Sequence, residues 1–237
     1  SKVNGIPPND PGLWNSPISM DEFESDFLYH GRSGFYVSYN GADNWTQLLE
    51  PRQGQFSAIE NSPHSQLEIY AGNSIGELLF TEDAGLAWDN LSQGKLPNRF
   101  ITDIEVSPHD ENTVFVTYSG YGTQHVYKSA NKGQDWENIS LNLPDAPVNA
   151  ITIHPENPDM LFVATDVGVF GSFDGGRNWM PYGRGLPRSP VIDIAFHLDK
   201  VVLDKNVLRI ATHGRSMWEA DVPNVVITSA EITSPAG

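Results

Sequence analysis

The chain has 237 residues with 21 glycines, 17 prolines and no cysteine, and 14 basic against 30 acidic side chains leave a formal net charge of -16. That length supplies one sizeable core, and the glycine and proline content favours many short strands over long helices. The acidity argues against nucleic acid or an anionic membrane as a partner held by the overall field, the missing cysteines remove disulfides, thiolate metal sites and thiol catalysis, and no apolar run reaches the roughly 18 residues of a membrane span.

In chain order, residues 1–13 form an N-terminal segment without the apolar core of a signal peptide. The chain therefore reads as cytoplasmic or as a processed piece of an exported protein, and acidity with little lysine suits an extracellular bacterial one. Lys2–Ile6 is a candidate closing strand. A first unit, residues 14–50, runs from Trp14 through Ile18 and Asp26–Gly31 to the hairpin-like segment Ser38–Trp45. A second unit, 51–94, ends on the matching segment Thr81–Trp88. The third, 95–143, carries apolar runs at Ile101–Val106 and Thr113–Tyr118 before Ser129–Trp136, and the fourth, 144–188, carries Val148–Ile153 and Met160–Thr165 before Ser172–Trp179. A fifth, incomplete unit, 189–223, shows Val191–Phe196 and Val207–Thr212 and then Trp218. Residues 224–237 contain a second candidate closing strand, Asn224–Thr228, and a tail that reads as a linker toward other domains of a parent protein.

Four of the six tryptophans thus occupy one repeat position, 43, 48 and 43 residues apart. A period of about 45 residues with four short strands per unit predicts an all-β propeller of four-stranded antiparallel blades, because a single blade cannot bury both faces without neighbours. Within each repeated segment Asp83, Asp174, Asn40 and Asn131 are placed to accept backbone hydrogen bonds, while Gly85, Gly133 and Gly176 sit where positive φ is needed. Trp then anchors the fourth strand. Leu96-Pro97, Leu143-Pro144 and Leu186-Pro187 read as fixed turns between blades. Asp103 and Asp193 stand where Ala58 and Ala150 stand in other units and read as hydrogen-bonded inter-blade residues. The sequons at Asn44, Asn90 and Asn138 matter only in a eukaryotic secretory route.

The four segments resemble BNR or Asp-box repeats, of pattern Ser/Thr-x-Asp-x-Gly-x-Thr-Trp, with departures at Asn44, Ala87, Asp135 and Asn178 for the usual Thr and at Ala42 for the usual Gly. Ala164-Thr165-Asp166-Val167-Gly168 and the closing Ala211-Thr212-His213-Gly214-Arg215 are similar to exported bacterial propellers of this kind. The resemblance implies a sialidase-, sortilin- or xyloglucanase-like propeller with no single activity attached to the fold. A fourfold repeated constellation does not build one active site, so function is expected in unrepeated residues.

In such blades the loops between strands two and three and the blade-to-blade connections share one rim. The candidate ligand-binding residues gather there: Arg32, Arg52, Arg99, Tyr121, His125, Arg184, Arg188, His213 and Arg215. Arginine suits bidentate contact with carboxylate, sulfate or phosphate, which predicts an anionic glycan or a protein segment as partner. The sialidase-type Arg-Ile-Pro segment is absent, and Asp145 with Asp166 is the candidate carboxylate pair for a glycoside hydrolase. The reading is a non-enzymatic binding module of an extracellular, cell-surface or periplasmic protein, with no cofactor and no metal site expected. A glycoside hydrolase or a structural spacer is the alternative.

Overall fold

The computed structural model describes residues 3–199 and 205–222. Nineteen strands fall into five antiparallel sheets among them. The first sheet contains β1 (Ile18–Met20), β2 (Leu28–Gly31), β3 (Phe35–Ser38) and β4 (Thr46–Leu49), and the second β5 (Phe56–Asn61), β6 (Ile69–Asn73), β7 (Leu78–Thr81) and β8 (Asp89–Asn90). The third contains β9 (Ile101–Val106), β10 (Val114–Tyr118), β11 (Val126–Ser129) and β12 (Glu137–Asn138). The fourth contains β13 (Val148–His154), β14 (Asn157–Thr165), β15 (Gly168–Ser172) and β16 (Met180–Tyr182), and the fifth β17 (Val191–Asp199), β18 (Lys205–Thr212) and β19 (Met217–Val222). Strands follow chain order in every sheet, so each sheet is a meander and the architecture is a β-propeller.

The core lies between sheets. Tyr29, Phe35 and Val37 of the first sheet close on Phe56, Ile69 and Leu79 of the second, Tyr70 and Leu78 close on Ile101, Ile104 and Val116 of the third, and the series continues to the fourth and fifth. The sheets pack closely: a Cβ on Gly72 of β6 would lie 2.6 Å from Ile101 Cγ2 of β9. The fifth sheet makes no extensive strand contact with the first among the described residues.

All four Trp-terminated hairpins share one geometry. The Ser or Thr hydroxyl accepts the N–H four residues on, from Ala42, Gly85, Gly133 and Gly176, and the Asx side chain accepts the N–H of residues 44, 87, 135 and 178. Two consecutive residues take positive φ rather than the one expected, Ala84 (57°) with Gly85 (90°) and Lys132 (53°) with Gly133 (85°) among them, as a tight hairpin of this hand requires.

Three strand expectations change. The outermost strands β8 and β12 have two residues each, because Asn90 Oδ1 captures the N–H of Ser92 and Asn138 Oδ1 that of Ser140, turning the chain away. The Ser92 and Ser140 hydroxyls then accept the Leu78 and Val126 N–H groups. Val3–Ile6 forms turns against the first sheet, where Asn4 C=O accepts the Trp45 N–H, and adds no strand to the fifth. Lys2, Asn224–Thr228 and the proposed linker tail lie outside the described residues.

The anchoring role of tryptophan is measurable. Trp179 is buried and donates to Ile139 C=O at 2.8 Å, whereas Trp136 is half-buried and its Nε1 has no partner among the described residues. Trp179→Ala is expected to cost about 3–5 kcal/mol in denaturant unfolding, at the level of large core truncations, and Trp136→Ala clearly less.

Candidate functional site

Meander topology places the β2–β3, β6–β7, β10–β11, β14–β15 and β18–β19 loops and all blade-to-blade connections on one rim, opposite the Trp-terminated hairpins. Every candidate ligand residue is on that rim, but the structure distributes them in three groups and a separate Arg32, and commits several to internal contacts.

The first group surrounds a cleft of about 530 Å³ between the first-to-second connection, the β6–β7 turn and the second-to-third connection. Arg52 lies in it and is already occupied: Nη2 and Nε donate to the two oxygens of Glu77 at 2.6 and 3.0 Å. Glu77 also accepts from Asn73 and Asn90 at 3.1 and 3.2 Å. These bonds hold the Arg52 guanidinium above its ordinary value, with burial opposing them. The β6–β7 turn is built by Asn73 Oδ1, which accepts the Ile75 and Glu77 N–H groups. Gly76 (φ 92°) has the 97–99 backbone where a Cβ would go, which packs that turn against Asn98 and leads into exposed Arg99. Exposed Ile75, Gln93 and Asn98 complete the lining.

The second group is the β10–β11 loop over a hollow of about 310 Å³. Tyr121 is exposed, as expected. His125 is buried, which corrects its reading as a ligand contact: Nε2 faces Asp145 Oδ1 at 3.1 Å and its N–H is taken by Ser140. Asp145 also accepts the Gly122 N–H, and these donors, Gly122 first and His125 second, lower its carboxyl below the ordinary value. Asp166 accepts from Asn149 Nδ2 at 2.9 Å. Each member of the candidate carboxylate pair therefore serves as a local acceptor.

The third group, Arg184, Arg188, His213 and Arg215, is exposed around the fourth-to-fifth connection, where Ser189 Oγ and Pro190 C=O tie to the His213 backbone. Arg32 stands apart from all three, with Nη2 donating to Asp10 C=O. Burial alone raises the Asp10 carboxyl, but Ser33, Tyr36 and Gly34 donate to it and hold it below its ordinary value.

Sequence reasoning missed Glu77, which stands on the rim among the basic residues, and the amides of Asn90, Gln93 and Asn98. Asn73 and Gly76 at turn spacing were the available signal. It also passed over Glu60 and Glu105 on the inner strands. Glu60 accepts the Val106 N–H at 3.1 Å and Asp103 accepts those of Ile151 at 2.9 Å and its neighbour Ile104, which bears out the inter-blade reading of Asp103. Burial raises the Asp103 carboxyl from 3.8 to about 7, with the two N–H donors opposing it and Asp193 reinforcing it. Burial also raises Glu60 and Glu105, and nearby carboxylates add to it. No cluster of three potential metal ligands occurs among the described residues.

A carboxyl raised in the folded state holds its proton more tightly folded than unfolded. Its contribution to stability is complete below the unfolded value near 3.8 and is lost as pH rises through about 7. Thermal unfolding across that window should show this component as a falling melting temperature, and Asp103→Asn, which keeps one acceptor and removes one titration, should flatten the fall. An unchanged profile refutes the assignment.

No family model matches this chain and no curated protein matches it. Solved structures do. A GH74 enzyme from Niastella koreensis aligns at 13% identity and TM-score 0.63 over 86% of this chain and 38% of its own. The GH74 xyloglucanase from Xanthomonas campestris aligns at 16% and 0.66 over 85% and 35%. YCF48 bound to D1 peptide aligns at 16% and 0.54 over 83% and 64%. The chain spans about a third of the GH74 chains, and the likeness establishes the propeller fold.

Proposed function

We propose that this propeller is a glycan-binding module and that the cleft holding Arg52 and Glu77 is its ligand site. The observation that carries the reading is the lining: amide, hydroxyl, carboxylate and guanidinium groups converge around about 530 Å³ with exposed Ile75 as the apolar surface. Sugars are held by such planar polar groups together with apolar contact to the ring face. Arg52 and Glu77 are the charged members of the lining and neutralise each other, so the cleft suits a neutral glycan better than the anionic one expected from the arginine count. The GH74 neighbours, one of them a xyloglucanase, give the glycan class a precedent on this fold.

Binding is favoured over cleavage. Glycoside hydrolysis of the usual kind needs two carboxyl groups facing across the sugar bond. On this rim Glu77 and Asp145 spend both oxygens on internal donors, and Asp166 spends Oδ1 on Asn149.

Affinity electrophoresis in gels containing neutral xyloglucan or carboxylated polygalacturonan tests the reading, with reducing ends assayed afterwards. The expected result is retardation by the neutral gel, insensitive to salt, without new reducing ends. Gln93→Ala with Asn98→Ala removes two exposed lining groups and should weaken retention roughly tenfold, given about 0.5–1.5 kcal/mol per hydrogen bond. Retention unchanged by that pair rejects this cleft, and new reducing ends reject the non-enzymatic reading.

A further inference from the structure

The face of the first sheet turned away from the second is built as half of a blade–blade interface. In the other sheets the inner strand points one isoleucine back into the preceding sheet: Ile104 is 2% exposed, Ile151 1% and Ile194 4%, and Ile59 is half-buried against the first sheet. Register places Ile18 at the same position, paired with His30 as Ile104 is with Val116 and Ile151 with Val163. Ser19, between Ile18 and Met20, faces the second sheet, where Asn61 donates to it. Ile18 and Met20 therefore point the other way, and they are 62% and 57% exposed.

A second, independent signal precedes the sheet. Leu96-Pro97, Leu143-Pro144 and Leu186-Pro187 each lead from one blade into the next, with the leucine set in or against the core between the two blades and the proline carbonyl accepting an N–H two residues on. Ile6-Pro7 is a related turn: Ile6 is buried on Tyr36 and Trp45, and Pro7 C=O accepts the Asp10 N–H, three residues on rather than two. The Asn4 backbone C=O accepts the Trp45 N–H, where the Asn142 side-chain Oδ1 accepts that of Trp179. Ile6 thus occupies a connection between blades with a sheet on one side only.

The fifth sheet does not fit as the missing neighbour. Ser57, Thr102 and Asn149 each donate from a bulged inner-strand position to the next blade's Ile101, Val148 and Val191 carbonyls at 2.6, 2.6 and 2.8 Å. The matching residue of β17 is Ile192, which has nothing to donate.

We propose that the Ile18 and Met20 face seats a further four-stranded blade of the same repeat type, distinct from the fifth. It enters through the Ile6-Pro7 connection and carries a hydroxyl or amide donor at the bulged position of its own inner strand.

Because the chain has no cysteine, Ile18→Cys gives a single-site probe. In the 237-residue chain, maleimide should label Cys at position 18 nearly as fast as in denaturant, with a monomeric mass by light scattering. Joining a copy of residues 98–142 directly to Ile6 should slow labelling at least about tenfold while circular dichroism retains the β signal. Slow labelling without the added blade, whether from ring closure on the fifth sheet or from a dimer, overturns the proposal, as does a folded graft that leaves the rate unchanged. Hydrogen exchange of the unaltered chain gives a readout that needs no graft: the β1 amides should exchange at least about tenfold faster than those of β9 and β13, and equal protection is the overturning result.

Discussion

Every blade of this propeller has an innermost strand whose inner edge no strand of its own sheet covers, and an open edge of unpaired N–H and C=O groups is the constraint a β-sheet must satisfy before anything else. The chain meets it with side chains from the neighbouring blade rather than with more backbone. Hydroxyls and an amide from Ser57, Thr102 and Asn149 take the carbonyls, carboxylates from Glu60 and Asp103 take the N–H groups, and His64 and His109 close the far ends on Ser107 and His154 C=O. Blades are therefore locked in order, and the apolar clusters between them are aligned by polar contacts at their inner margin.

The same device explains the electrostatics of the interior. A carboxylate that caps a backbone edge inside a narrow circle of strands is removed from water and placed near others doing the same, so burial and like charge both favour its protonated form. Raised carboxyl values often mark catalytic sites. Here the oxygens of Asp103 are spent on Ile104 and Ile151, and the perturbation follows from architecture.

The blades were legible in the sequence because tryptophan spacing, the glycines of the hairpins and the Leu-Pro turns keep residue identity from unit to unit. The edge-capping positions keep only their chemistry: Ser, Thr and Asn share a donor but not a name, and the series ends in Ile192. His125 was read as a ligand contact because it lies in a rim loop, yet that loop folds inward on Ser140 and Asp145. The arginine-rich rim was counted correctly as arginines. What one chain cannot show is that Glu77, following a turn glycine, reaches back 25 positions to Arg52, or that Asp10 and Arg32 belong to one clamp.

The buried inner-strand carboxyls and the Arg52–Glu77 pair change how the net charge acts. The formal -16 counts every carboxyl as ionised, but Asp103 titrates near 7, and Glu60 and Glu105 are shifted in the same direction. The folded protein thus carries less negative charge at neutral pH than its composition states. On the rim, Arg52 is spent on Glu77, while Arg99, Arg184, Arg188 and Arg215 stand exposed in two separate places. A partner approaching the rim meets a nearly neutral cleft flanked by isolated guanidinium groups, a surface that selects by hydrogen-bond geometry before it selects by charge.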